Sequence, residues 1–306
     1  HKHLNAQRTF LPGSKWLYFK IYCGFKIADA VINEHITLIL KKLHKLNAVK
    51  KWFFVRYKDP DNHIRLRILL SDISLIQQVL QLINRAFAKL VQNGTVTKIK
   101  TDTYVRELER YGHNFIEITE SVFYVQSKMV LTCLNKGLIN TENSWLFALY
   151  FCNIHFDAFK LSNHQKIQLL AQISKGFFNE FGIDKAKEQS LNKRYNDKRH
   201  IIFEVLQNNR LPGINNNLSD TIGINFSKEL REQYKKITTR CNNPNQLTTA
   251  IQNLLPSYLH MLINKIISSQ QRANELVLYH FLHRFYLAKL FIDEPNKAKS
   301  QQGLNK

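Results

Sequence analysis

Strands crowd into the first third of this chain and helices fill the rest. That order predicts an α+β fold: a small, mostly antiparallel sheet with two flanking helices, followed by a larger all-helical portion. Three observations carry the prediction. Four short runs rich in aromatic and β-branched residues lie between Lys15 and Tyr104, two stretches of helical apolar spacing separate them, and beyond about Asn114 only the helical period recurs.

The elements follow in order. Residues 1–14 are polar, contain Pro12-Gly13, and read as an opening segment before a strand at about Lys15 to Tyr22. Val31, Ile32, Ile36, Ile39, Leu40 and Leu43 then recur at helical spacing between Ile27 and about Leu46. Trp52 to Tyr57, the turn Lys58-Asp59-Pro60-Asp61-Asn62 and the run His63 to Leu70 read as a hairpin, with Asp59 capping the turn through its own backbone. Ser71 and Asp72 are N-cap candidates for a second helix that carries Leu75, Val79, Ile83, Phe87 and Leu90 and stops at Gly94. Thr95 to Tyr104 is the fourth strand, delivering Arg106 at or just beyond its end. Helices are then expected over 116–134, 144–159, 162–181, 185–207, 227–239, 246–255, 257–269 and 273–291. The asparagine-rich stretch 208–225, with Pro212-Gly213, reads as a long loop. Two helices on one face of the sheet leave its other face available.

Composition bounds the function. Lys and Arg number 44 against 23 Asp and Glu, a formal charge of +21, so the surface attracts acidic peptides or polyanions. Much of that excess is lysine scattered among isoleucine and asparagine, and no zinc-finger, RNA-recognition or P-loop pattern accompanies it. Direct nucleic-acid binding is therefore not expected. Cys23, Cys133, Cys152 and Cys241 are isolated, which suggests neither a zinc site nor a disulfide framework and points to a reducing, cytoplasmic setting. The longest apolar run, Trp145 to Cys152, is too short to span a bilayer, and its aromatics read as core packing. No metal or organic cofactor is indicated. The chain opens on His1 rather than Met, which suggests a fragment of a longer protein or a processed one.

Two basic constellations carry the chemistry. In His63-Ile64-Arg65-Leu66-Arg67, a strand's period of two puts His63, Arg65 and Arg67 on one face and Ile64, Leu66 and Ile68 on the other. Like charges so close repel unless something anionic lies between them, and the arginine fork matches a carboxylate in two-point geometry. The implied tenant is a carboxylate or phosphate; the plainer alternative is a solvated edge strand with snorkelling arginines. The second constellation is Tyr104-Val105-Arg106-Glu107-Leu108-Glu109-Arg110-Tyr111-Gly112. Glu107 and Glu109 in it read as local partners of the arginines.

Taken with Trp16 to Gly24, Trp52 to Pro60, Ser257-Tyr258-Leu259-His260-Met261-Leu262-Ile263-Asn264-Lys265 and the closing stretch Tyr279 to Tyr286, these segments resemble the C-terminal domain of class I lantibiotic dehydratases, which also occurs free-standing as thiopeptide-type bacteriocin biosynthesis proteins. The resemblance runs from about Arg8 to about Leu290, in the family's order and approximate spacing. It implies one elimination-type domain over 1–293, divided into a sheet-containing part (15–112) and a helical part (113–293), before a flexible tail at 294–306.

The resemblance also implies a reaction. The substrate is a ribosomally made precursor peptide whose serine or threonine is esterified with glutamate; removal of that glutamate leaves dehydroalanine or dehydrobutyrine. A base must take a weakly acidic α-proton, charge develops on the neighbouring amide oxygen, and preorganised donors stabilise it by about 3–4 kcal/mol each. By the family's pattern, His260, Arg67 and Arg106 are the catalytic positions and Arg65 joins them in binding substrate; His63, Arg110 and Asn264 are further substrate-binding candidates. Histidine titrates near neutrality and suits the proton transfer. If the segment after Pro256 is helical, with Ser257 as its cap, His260 and Asn264 fall at i and i+4 and the amide can orient the ring. His63 either contacts the leaving glutamate, positions Arg65 or simply closes the turn. A tRNA-dependent glutamylating domain or subunit is the implied partner.

Three positions depart from the family's pattern: His113 after Gly112, Gln126 before Ser127, and Lys265 after Asn264. They bear on pocket shape and on the peptide accepted. Two alternatives stand beside elimination. One is a pyridine-forming cycloaddition on the same fold, disfavoured by the full arginine set; the other is a non-catalytic module that docks a peptide on the sheet edge.

Overall fold

The computed structural model describes residues 5–303, which fall into two compact units: one of residues up to Ser144 together with Lys228–Ser269, the other of Trp145–Ser227 with the segment from Gln270 onward. The first holds the sheet. Strands β1 (Thr9–Phe10), β2 (Trp16–Cys23), β3 (Val49–Lys58), β4 (Asn62–Leu70), β5 (Val96–Thr101) and β6 (Tyr104–Val105) form a four-stranded antiparallel sheet of order β3-β4-β2-β5 and a separate β1-β6 ribbon. The α+β expectation holds, and the hairpin falls where alternation placed it. The expected fourth strand divides in two, because Asp102 and Thr103 break the run: Asp102 N donates to Tyr18 O at 3.0 Å, and Tyr104 then pairs with Phe10 rather than with β2.

Between the strands lie two helical stretches. The first consists of α1 (Ala28–Ala30), a π segment over Val31–Ile36 and α2 (Thr37–Lys45). The second is a single 3-10 turn, Ile73–Leu75, capped by the Asp72 carboxylate on Ser74 N, leading into α3 (Ile76–Gln92). Their apolar stripes, with Ile36, Leu43, Val79 and Phe87 all buried, form a core with the sheet face that carries Phe19, Ile21, Ile64, Leu66 and Ile68, likewise buried.

The free edge of β3 is covered by helices. α4 (Leu108–Asn135) begins one turn before Gly112, whose φ of 70° breaks it locally and is a conformation glycine adopts without a Cβ clash. Ser127 on α4 accepts from Phe54 N at 3.2 Å. α9 (Pro244–Ile266) supplies Asn264, whose amide accepts from Arg56 N at 2.9 Å and donates to Arg56 O at 2.8 Å. An amide side chain thus completes the ladder of a strand that has no further neighbour. Two helices were expected where α9 runs unbroken through Pro256. Asn243 caps it, with Pro244 at its first turn, and Leu254, Leu255, Tyr258, Leu259 and Leu262 keep one buried stripe in phase across the proline. Ser257 is accordingly not a cap; its hydroxyl lies 2.7 Å from that of Tyr111.

The second unit is helical: α5 (Ser144–Ala158), α6 (Asn163–Glu180), α7 (Lys185–Gln207), the first part of α8 (Asn216–Thr239) and α10 (Gln271–Gly303). α5 is buried on nearly every side, as its uniform hydrophobicity requires. α6 opens on a capping box formed by Ser162 and Gln165. The long loop expected at 208–225 shrinks to 208–215, since α8 starts at Asn216 and buries Ser219, Ile222 and Phe226 at helical spacing among polar residues that mask it. α10 carries the backbone to Gly303; the remainder of the expected tail, 304–306, lies outside the described residues.

Replacing Asn264 by Leu strands a buried N–H and a buried C=O on Arg56, each costing about 1–3 kcal/mol. The urea midpoint of Asn264→Leu is expected to fall by the equivalent of at least about 2 kcal/mol.

Candidate functional site

Register decides which side chains share a face. On the side opposite the core, Arg67 stands between Phe53 and Tyr18, Arg65 between Val55 and Lys20, and His63 between Tyr57 and Tyr22; Lys100 and Lys98 extend the row across β5. The expected alternation is therefore realised, and the neighbouring strands add three tyrosines and three lysines to it.

His63 and Arg65 form one assembly. The imidazole lies between the rings of Tyr22 and Tyr57, with centroids at 4.7 and 5.5 Å, and its Nδ1 is 2.9 Å from Asp61 O. Arg65 Nε donates to His63 Nε2 at 3.2 Å while its guanidinium carbon sits 3.3 Å from the centroid of the Tyr57 ring. These contacts select the neutral tautomer with the proton on Nδ1, since Nε2 must accept. Burial pushes the His63 imidazole below its ordinary value, and the Arg65 charge adds to it against the pull of the Asp61 carbonyl. The ring closes the turn and aims an arginine at once.

Arg67 is half-buried. Its guanidinium carbon lies 4.5 Å from the Tyr18 centroid, 4.8 Å from Tyr104 and 5.3 Å from Phe53, and its Nε is buried without a hydrogen-bond partner. Among the described residues neither Arg65 nor Arg67 has a carboxylate partner, whereas Lys20 is paired with Asp102 at 2.5 Å and Lys98 with Asp61 at 3.6 Å. Two guanidinium groups on one face thus stand without a carboxylate partner among the described residues.

Arg106 is placed differently. It follows β6, is 4% exposed, and its fork grips Glu120 of α4 through two hydrogen bonds of 2.7 Å, with Nη1 donating to Gln7 O at 3.1 Å. Glu120 also accepts from the Tyr104 hydroxyl at 2.9 Å. Arg67 and Arg106 therefore meet on Tyr104, one over its ring and one through the acid that holds its hydroxyl. Glu120 escaped sequence reading; its signal was a lone acid among the apolar residues of a helix face. Arg110 lies exposed on the first turn of α4, paired with Glu107 at 3.2 Å, and Glu109 pairs with Arg8 at 2.5 Å.

His260 is half-buried on α9. On the same stripe, Ser257 one turn before it is bonded to Tyr111, and Asn264 one turn after it is paired with the edge of β3. Next to Asn264, Lys265 is fully buried, its amine donating to Gln126 Oε1 at 3.2 Å and Met261 O at 3.1 Å. No helix among the described residues is long and apolar enough to cross a membrane.

Two predictions follow from these contacts. Glu120→Ala leaves buried Arg106 with only the exposed Glu117 carboxylate, 3.9 Å away, and is expected to cost about 3 kcal/mol by denaturant unfolding, while adding Arg106→Leu recovers part of that loss. His63, held neutral in the fold, is protonated first in the unfolded chain. Its contribution is complete above the ordinary histidine value of about 6.5 and declines as pH falls below it. Measured against His63→Gln, the unfolding midpoint of the wild-type chain should drop across that interval; an opposite slope sinks the tautomer assignment.

Comparison with known proteins adds the family. A model described as lantibiotic biosynthesis dehydratase C-term matches residues 16–286. The chain is 26% identical over 293 residues to nisin biosynthesis protein NisB of Lactococcus lactis subsp. lactis, covering 94% of this chain and 27% of that one. It is 32% identical over 126 residues to subtilin biosynthesis protein SpaB of Bacillus subtilis, covering 41% and 12%. It thus spans about a quarter or less of these relatives. In fold it is similar to the tRNA-dependent lantibiotic dehydratase MibB from Microbispora sp. 107891, with a TM-score of 0.59 at 18% identity over 92% of this chain and 29% of that one. It is also similar to the pyridine synthase TbtD from thiomuracin biosynthesis, with a TM-score of 0.61 at 10% identity over 91% and 99%. With its segments in family order and most of its length matched, the chain belongs to the lantibiotic biosynthesis dehydratase C-terminal family.

Proposed function

We propose that this domain removes glutamate from glutamylated serine or threonine in a precursor peptide, leaving a dehydroamino acid. The observation that carries the reading is the pair Arg65 and Arg67: two guanidinium groups on one sheet face, backed by aromatic rings and without an acid of their own among the described residues. Two residues apart on a strand, they stand about 7 Å from one another. That is the scale of a ligand with two carboxyl groups, and a glutamyl ester has one free carboxylate and a second that develops as the bond breaks.

The chemistry follows. His260 takes the α-proton; the electron pair forms the double bond, the Cβ–O bond breaks, and its electrons leave on the glutamate carboxylate. Charge growing on that carboxylate meets a guanidinium already held in place by Tyr18, Phe53 and Tyr104. Arg65, steadied by His63 and Tyr57, anchors the other carboxylate. Arg106 acts through Glu120 and Tyr104, fixing the ring beneath Arg67. In this reading a glutamylating, tRNA-dependent domain or subunit supplies the esterified peptide.

The test uses the purified chain and a chemically glutamylated peptide, followed by mass spectrometry. Elimination is expected to release glutamate and leave the dehydrated product. A cycloaddition enzyme would act only on a peptide already dehydrated, and a docking module would return the ester unchanged. Arg67→Ala should retain the wild-type unfolding midpoint to within about 1 kcal/mol while elimination falls at least about a hundredfold and glutamylated peptide accumulates. His260→Asn should lose about 10²–10⁴-fold. Wild-type turnover in either variant removes that residue from the mechanism.

A further inference from the structure

Lys265 is a fully buried lysine, 0% exposed, with no carboxylate partner among the described residues. Its amine donates to the side-chain oxygen of Gln126 and the carbonyl of Met261, and lies 5.0 Å from the centroid of the Phe123 ring. From β3, Arg56 Nε donates to the lysine's own carbonyl at 3.1 Å and so fixes its backbone. The acid on the neighbouring face of α4, Glu120, is already taken by Arg106 and Tyr104. The elimination reading leaves this group without a task.

The Phe123 ring that the amine approaches packs on Phe53 with centroids 5.6 Å apart, and the guanidinium carbon of Arg67 lies 5.3 Å from the Phe53 centroid, so Lys265 and Arg67 flank one pair of packed rings. Burial holds the amine well below the ordinary lysine range, and the positive charge of Arg67 on β4 pushes it further down. Two cations flanking one pair of packed rings, with no carboxylate partner among the described residues, is the costly state, and one must yield. A guanidinium does not surrender its proton, whereas an amine does.

We propose that Lys265 is the proton-linked partner of Arg67, an uncharged amine in the free protein that takes up one proton from solvent when a carboxylate seats on Arg67. This rests on the reading above, in which Arg67 holds a carboxylate of the glutamyl group. A seated carboxylate cancels the repulsion from Arg67, and the two oxygens already facing the amine accept from the ammonium that forms. Lys265 does not touch the ligand; it is a positioning residue acting through Arg67. Loss of the same proton then weakens the hold on the departing glutamate.

L-Glutamate is the probe, titrated into the full chain by calorimetry in two buffers of different ionisation enthalpy. The expected result is uptake of about one proton per glutamate, with affinity falling up to about tenfold per pH unit as pH rises, because the bound state holds the extra proton. Lys265→Arg keeps its charge at every pH and should bind with that uptake abolished and the matching part of the pH slope gone. Lys265→Met should lose the same uptake and bind more weakly, which keeps the test decisive if one variant fails to fold. His63, the other titrating group near the arginines, is common to all three proteins and cancels in the comparison. Binding that requires Arg67, shown by its loss in Arg67→Ala, but with unchanged uptake in either Lys265 variant overturns the linkage alone. No binding, or binding indifferent to Arg67→Ala, overturns the Arg67 reading and the linkage with it.

Discussion

A half-buried guanidinium with no carboxylate partner among the described residues is the constraint on which this face of the sheet is organised. Arg67 meets it with rings: Tyr18, Tyr104 and Phe53 all lie within about 5.3 Å of its central carbon. Each such contact contributes about 0.5–2 kcal/mol when desolvated, enough to offset much of the cost of withdrawing the cation. The rings are themselves held, Tyr104 by the hydrogen bond to Glu120 and by Trp16, Phe53 by edge contacts with Trp16 and its packing on Phe123. The guanidinium is therefore held in place by rings that are themselves fixed. In the proposed elimination, a carboxylate would find a donor already held in place, which is the condition under which charge stabilisation is strong.

Arginines of similar standing in the sequence are allotted opposite tasks. Arg106 gives its whole fork to Glu120 and its remaining nitrogen to Gln7, joining the opening segment, β6 and α4 at one buried point. Arg56 gives its fork to Asp29 and to the carbonyl of Lys265. Arg65 and Arg67 give theirs to rings and an imidazole and keep their charge. The first pair fixes geometry and the second leaves a field. A basic surface alone would not separate these roles, because what distinguishes them is which acids have been placed within reach.

The periodicities carried much of this. Alternation through His63 to Ile68 placed the cationic residues on one face, and the strand-helix-strand-strand-helix-strand order fixed the sheet because each element has a distinct period. Where the structure departs from expectation, polar residues hide the period: Asn216 to Asn225 buries Ser219, Ile222 and Gly223 at helical spacing, and Pro256 reads as a break although the leucines on both sides stay in phase. Side-chain partnership was the least legible level. Nothing adjacent to Arg106 announces that Glu120 will neutralise it, and nothing in Asn264 announces an amide paired with a strand, because both depend on how α4 and α9 meet β3.

That meeting has a mechanical consequence. Helices packed on a sheet by apolar contact alone are able to slide by fractions of a turn, since such contacts are non-directional. α9 is held otherwise. Asn264 exchanges two hydrogen bonds with the backbone of Arg56, so a shift of the helix along the strand breaks both and leaves two buried groups unpaired. Ser257, bonded to Tyr111, fixes the same stripe one turn below His260. The stretch of α9 that carries His260 is thereby held at a set height along β3, whose neighbour β4 bears Arg65 and Arg67. Residues 208 positions apart in sequence are thus brought into register by a hydrogen-bond match, a strand's pairing completed from a helix.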